Sequence, residues 1–110
     1  MENCIFCKIA NKEIPSQLLY EDEYTVAFND LNPQAPVHIL VIPKKHFSSL
    51  NELEDKTIMS ALLHTVKQVT KKLSITDYRT IINTGKAAGQ EVFHLHMHVL
   101  AGRPFNWPPG

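Results

Sequence analysis

The chain has 110 residues, 44% hydrophobic and 20% charged, and its 11 basic and 11 acidic side chains cancel. This composition excludes a disordered or fibrous protein, and the zero net charge offers no broad basic surface for nucleic acid or an anionic membrane. One globular domain over residues 1–110, located in the cytoplasm, is expected: Val37 to Pro43, the longest apolar stretch, is too short to span a bilayer, and no secretion-type leader opens the chain.

Cys4 and Cys7 stand three apart. Without a secretion signal, that spacing points to metal binding or redox chemistry before a structural disulfide. A short helix is predicted near Ile5 to Asn11. Leu18 to Glu21 and Tyr24 to Asn29, with aromatic and β-branched residues on either side of Asp22-Glu23, predict a hairpin. Leu31 to Pro36 reads as a loop. Val37 to Pro43 reads as a third strand, apolar almost throughout and therefore central in a sheet covered on both faces. From Asp55 to Leu73 the residues Ile58, Leu62, Val66, Val69 and Leu73 recur at helical spacing. Met59 and Leu63 widen that stripe, and Ser60, His64, Lys67 and Lys71 form the polar face. Tyr78 to Asn83 and His94 to Ala101 are the fourth and fifth strands, joined through Gly85 and Gly89. Five strands, one long helix and one short N-terminal helix define an antiparallel α+β fold.

The segment His94-Leu95-His96-Met97-His98 alternates imidazole with apolar residue, which puts the three rings on one strand face, spaced about 6.6 Å apart. Leu95, Met97 and Val99 then point into the core. A solvated face, a three-histidine metal site, core histidines satisfied by main chain, and a catalytic or anion-binding row all fit this spacing. Just upstream, Asn83-Thr84-Gly85 and Gly89-Gln90-Glu91 form a polar loop whose glycines let main-chain amides approach an anion. Imidazoles facing such a loop suit a phosphate.

These residues resemble the histidine-triad (HIT) superfamily of nucleotide-binding proteins, most closely its Hint branch of purine nucleoside phosphoramidases. The likeness runs through CIFCKI and KEIPS, AFNDLNPQAPVHILVIPKKH, GQEVFHLHMHVLAGRP and the final WPPG. It implies the HIT fold and a role for each matched position. His96 is the nucleophile on the α-phosphorus, forming a nucleotidyl-imidazole that water hydrolyses, with its other nitrogen held by a main-chain carbonyl near His94. His98 contacts the phosphate, and His38 joins the cluster from the third strand. Ile5, Phe6, Ile9, Phe28 and Leu31 line an apolar base slot, with Val92 also against the nucleotide. Asp30 accepts the ribose hydroxyls, and Asn83, Gly89 and Gln90 take the phosphate side. Glu91 departs from the pattern: many eukaryotic Hint proteins have a phosphate-binding serine there, and a carboxylate would repel the anion.

The resemblance also implies a structural zinc ion on Cys4, Cys7, His46 and His94, with no metal in the chemistry, and a homodimer that covers Trp107. It implies hydrolysis of an AMP- or GMP-type phosphoramidate at the phosphorus–nitrogen bond. The alternatives are a dinucleoside polyphosphate hydrolase and a non-catalytic module that binds nucleotide or a protein partner.

Overall fold

The computed structural model describes residues 3–110. Its elements are α1 (Ile5–Ala10), β1 (Leu18–Glu21), β2 (Thr25–Asn29), β3 (Val37–Pro43), α2 (Lys56–Lys72), β4 (Arg79–Ile81) and β5 (Met97–Ala101), with short 3-10 turns at Leu50–Glu52 and Lys86–Ala88. The strands form one sheet in the order β1-β2-β3-β5-β4, antiparallel at every pairing. No helix among the described residues is long and apolar enough to cross a membrane.

β3 is central because both of its faces are apolar, as its near-continuous hydrophobic run requires. Ile39 and Val41 point to the α2 side, where Ala27, Leu95, Met97 and Val99 meet Ile58, Leu62, Val66 and Val69 of the helix. Leu40 and Ile42 point the other way and pack with Val26, Phe28 and the α1 residues Phe6 and Ala10. Helix α2 starts at Asp55, whose carboxylate accepts from the amides of Thr57 (2.8 Å) and Ile58 (3.2 Å), an N-cap that satisfies otherwise orphaned donors.

Several boundaries differ from the sequence pattern. Met59 and Leu63 do not widen the buried stripe: they are 38% and 60% exposed, while Thr65 and Thr70 are buried in the helix instead. Each threonine is affordable there because its hydroxyl is bonded, Thr65 to Thr25 (2.6 Å) and Thr70 to the Val66 carbonyl (2.8 Å). The fifth strand begins at Met97, not His94. β3 ends at Pro43, which has no N–H to offer, and the Leu95 amide donates to the Phe47 carbonyl (2.7 Å) beyond the strand. The fourth strand is only Arg79–Ile81, because Ile82 and Asn83 already lead into the Gly85 loop, and the second starts at Thr25.

Asp22 closes the β1–β2 turn. Its carboxylate accepts from the amides of Tyr24 (2.9 Å) and Thr25 (2.8 Å), from the Thr25 hydroxyl (3.1 Å) and from Tyr20 (3.3 Å). Burial opposes its ionisation, but these donors win and hold its pKa below the ordinary carboxylate value. A depressed pKa contributes stability that is present above the unfolded value and is lost as pH falls through the folded one. Asp22→Ala should therefore cost about 1–3 kcal/mol at neutral pH, by urea denaturation, and the gap to the parent should narrow below about pH 4.

Gly102 follows β5 with φ +92°, and a Cβ on it would lie 2.8 Å from the Cβ of Pro36. Only glycine lets the chain leaving β5 press against the loop that enters β3.

Candidate active site

The alternation that sends Leu40 and Ile42 toward α1 also sends His38 and, from β5, His98 to that face. His94 and His96 precede the regular strand yet project the same way, since Phe6 of α1 lies edge-on to both rings, 6.0 Å from His94 and 5.2 Å from His96. The rings of His96 and His98 are 5.0 Å apart. The shared histidine face is therefore present, built from an irregular lead-in plus a short strand.

Hydrogen bonds fix which nitrogen carries the proton in the neutral form of each ring. His96 Nδ1 lies 2.8 Å from the His94 carbonyl, which can only accept. Nδ1 is therefore the N–H, and Nε2 keeps its lone pair. The Gln34 amide donates to His38 Nδ1 (3.0 Å), so His38 holds its proton on Nε2 and donates it to His98 Nδ1 (2.8 Å). His98 is then the Nε2–H form, with that donor left for a ligand. Burial keeps both rings neutral. It lowers His38 against the opposing pull of Asp30, and it lowers His98 to about 4, helped by His96 and His38.

These rings open on a cavity of about 770 Å³. His38, His96 and His98 line it together with Ile5, Phe6, Ile9, Phe28, Leu31 and Val92 on the apolar side and Asp30, Asn83, Gly89 and Glu91 on the polar side. Among the described residues no lysine or arginine lines it. Asp30 uses Oδ1 for the Asn32 amide (2.8 Å), and its Oδ2 lies 3.4 Å from His38 Nε2. Gln90 is not on the cavity. Its Oε1 accepts from the Gly85 amide (2.9 Å) and its Nε2 donates to Ser48 (2.7 Å) and Val92 (3.1 Å) carbonyls, so a nearly fully buried side chain shapes the loop from beneath. His64 is exposed on α2, away from the site.

Residues the sequence pattern did not single out also reach the cavity, among them Ser16, Gln17, Asn29 and Gln34. Gln34 acts on His38 through its main chain, which no side-chain pattern signals.

The three histidines of the strand do not converge on one point. His94 turns away: its Nε2 donates to the Pro43 carbonyl (2.9 Å), and its Nδ1 faces Cys4 Sγ (3.3 Å), Cys7 Sγ (3.4 Å) and His46 Nδ1 (3.2 Å). The donor atoms of Cys4, Cys7, His46 and His94 all lie within 4.8 Å of one another. Two thiols and two imidazoles suit tetrahedral zinc, with no position left for water. Burial, then the adjacent Cys4, pushes the Cys7 thiol up to about 11, and a bound cation would reverse that. Asp30, His38 and His98 form a second close group, but there the His38–His98 hydrogen bond already uses the facing nitrogens.

A HIT-domain family model matches residues 11–105, so the fold and the histidine face together place this chain in the HIT family. It is 51% identical over 112 residues to a HIT-like protein of Synechocystis, covering 99% of this chain and 98% of that one. It is 49% identical to a 14 kDa zinc-binding protein of Zea mays, over 96% and 87% of the two chains. A HIT family hydrolase from Legionella pneumophila superposes with TM-score 0.92 at 42% identity, covering 98% of this chain and all of that one.

Proposed function

We propose that the protein is a Hint-type nucleoside phosphoramidase that cleaves the phosphorus–nitrogen bond of a purine nucleoside 5′-phosphoramidate through a nucleotidyl-His96 intermediate. The observation that carries this reading is the His96 ring: its Nδ1–H is committed to the His94 carbonyl, which leaves the lone pair of the neutral ring on Nε2, and His96 lies on the cavity wall. Nε2 attacks phosphorus, the P–N bond breaks with its electron pair going to nitrogen, and the amine departs after taking a proton from solvent water. Water then hydrolyses the new P–N bond to His96, releasing the monophosphate. The Nε2–H of His98 donates to a phosphoryl oxygen as charge shifts onto it. The apolar wall takes the base, and the carboxylate of Asp30 takes ribose hydroxyl through remaining lone pairs.

Charge separates this reading from dinucleoside polyphosphate hydrolysis. Asp30 and Glu91 face the cavity, burial keeps His38 and His98 neutral, and among the described residues no lysine or arginine lines it. A monophosphate ester with an uncharged leaving amine suits that field, and a chain of several phosphates does not. Turnover of adenosine phosphoramidate should exceed that of a diadenosine polyphosphate by roughly 10²-fold or more in kcat/KM, and the reverse preference would overturn the assignment. The reading includes a structural zinc ion on Cys4, Cys7, His46 and His94, in line with the maize relative's name. That ion supplies folding energy to the four-residue site. It also includes a homodimer, since Trp107 is 82% exposed in the single chain. Light scattering should return the mass of two chains.

A further inference from the structure

We infer that Arg103 is a positioning residue for this chemistry, setting the proton on His98 through the main chain of Gln34 and the ring of His38; this rests on the phosphoramidase reading. Arg103 lies just past the end of β5 and bends over the loop that enters β3. Its Nε and Nη2 donate to the Gln34 carbonyl at 3.3 and 3.1 Å, and its Nη1 to the Pro104 carbonyl at 3.1 Å. The guanidinium sits 4.4 Å over the Phe105 ring, which Arg79 also approaches at 5.2 Å. Stacking and a planar fork of donors make Arg103 a stiff strut despite its exposure.

Gln34 is held at both ends. Arg103 takes its carbonyl, and its amide donates to His38 Nδ1 (3.0 Å). Two residues on, Pro36 rests against Gly102, the neighbour of Arg103. If the loop drifts, His38 loses the donor to its Nδ1, and only the 3.4 Å approach of Asp30 Oδ2 to Nε2 still favours the Nε2–H form. Nδ1 can then take the proton, and the bare Nε2 of His38 must accept from His98 Nδ1. His98 would in turn present a lone pair, not an N–H, to the phosphoryl oxygen. A change at an arginine that does not line the cavity thus reverses the polarity of a group that does.

The test uses full-length protein with ¹⁵N-labelled histidine. In the parent, His38 and His98 should each show the Nε2–H tautomer. In Arg103→Met, both should become tautomer mixtures, with kcat for adenosine phosphoramidate down roughly tenfold and KM raised severalfold, because the His98 donor serves the phosphoryl oxygen in the ground state and in the transition state. Arg103→Lys keeps the charge and one donor and should fall between; it carries the test if the Met variant does not fold. Unchanged kcat, or a loss of kcat with both tautomers intact, overturns the relay. Parent protein without phosphoramidate turnover overturns the functional reading instead, while the tautomer comparison still decides the relay.

Discussion

His96→Ala is expected to lower phosphoramidate turnover by roughly 10³-fold or more while nucleoside monophosphate still binds. In the proposed phosphoramidase, binding is spread over the apolar wall, Asp30 and the loop carrying Asn83 and Gly89, all of which line the cavity, whereas the covalent step needs one unprotonated nitrogen. Calorimetry with the monophosphate and steady-state kinetics should therefore separate. His98→Ala should weaken both, since its Nε2–H serves a phosphoryl oxygen in the ground state and in the transition state. Rapid quenching of the parent followed by peptide mass spectrometry should find a nucleotidyl adduct on the peptide that holds His96. Normal turnover in His96→Ala would end the catalytic assignment.

Loss of the metal site should have the second large effect. Protein purified without chelator should contain one zinc per chain, and the Cys4→Ala, Cys7→Ala double variant none, with a thermal midpoint lower by about 10 °C or more. The damage should spread beyond the ligands. Cys4 caps α1, its Sγ accepting from the Cys7 amide at 3.3 Å, and α1 carries Ile5, Phe6 and Ile9 of the cavity wall. Elemental analysis and a melting scan, with and without chelator, are the checks. Sub-stoichiometric metal in the parent, or full retention in the double variant, would remove zinc from the protein's description.

The parts of this fold that the sequence displays are those set by side-chain periodicity. β1 and β3 begin and end where composition and apolar run say, and Asp55 marks the start of α2 because its carboxylate is the right group for a cap. Where main-chain bonding decides, the pattern is silent. Nothing in HLHMH says that its first residues leave the ladder, since the cause is Pro43 on a neighbouring strand. Leu63 looks like core and Thr65 like surface, yet the Thr25 hydroxyl across the interface makes the threonine the buried one. At the site, cavity residues known by type, such as His96, His98 and Asp30, are legible through the family resemblance. Gln90, which the resemblance puts on the phosphate side, has its amide drawn away from the cavity by three internal hydrogen bonds, and Gln34, which works through its peptide, carries no side-chain signal.

The sheet keeps its chemistry and its bulk packing on opposite sides. The α2 layer is built from aliphatic residues and bonded threonines, while the histidines, cysteines and carboxylates of the site lie on or beyond the other face. For anyone engineering this protein, that division offers a rare freedom. Substitutions that raise heat tolerance can be sought behind β3, at Met59, Leu63 and their surroundings, without disturbing the tautomers in front of it. Libraries aimed at new leaving groups can be confined to the loop around Glu91, with the helix layer as an untouched chassis.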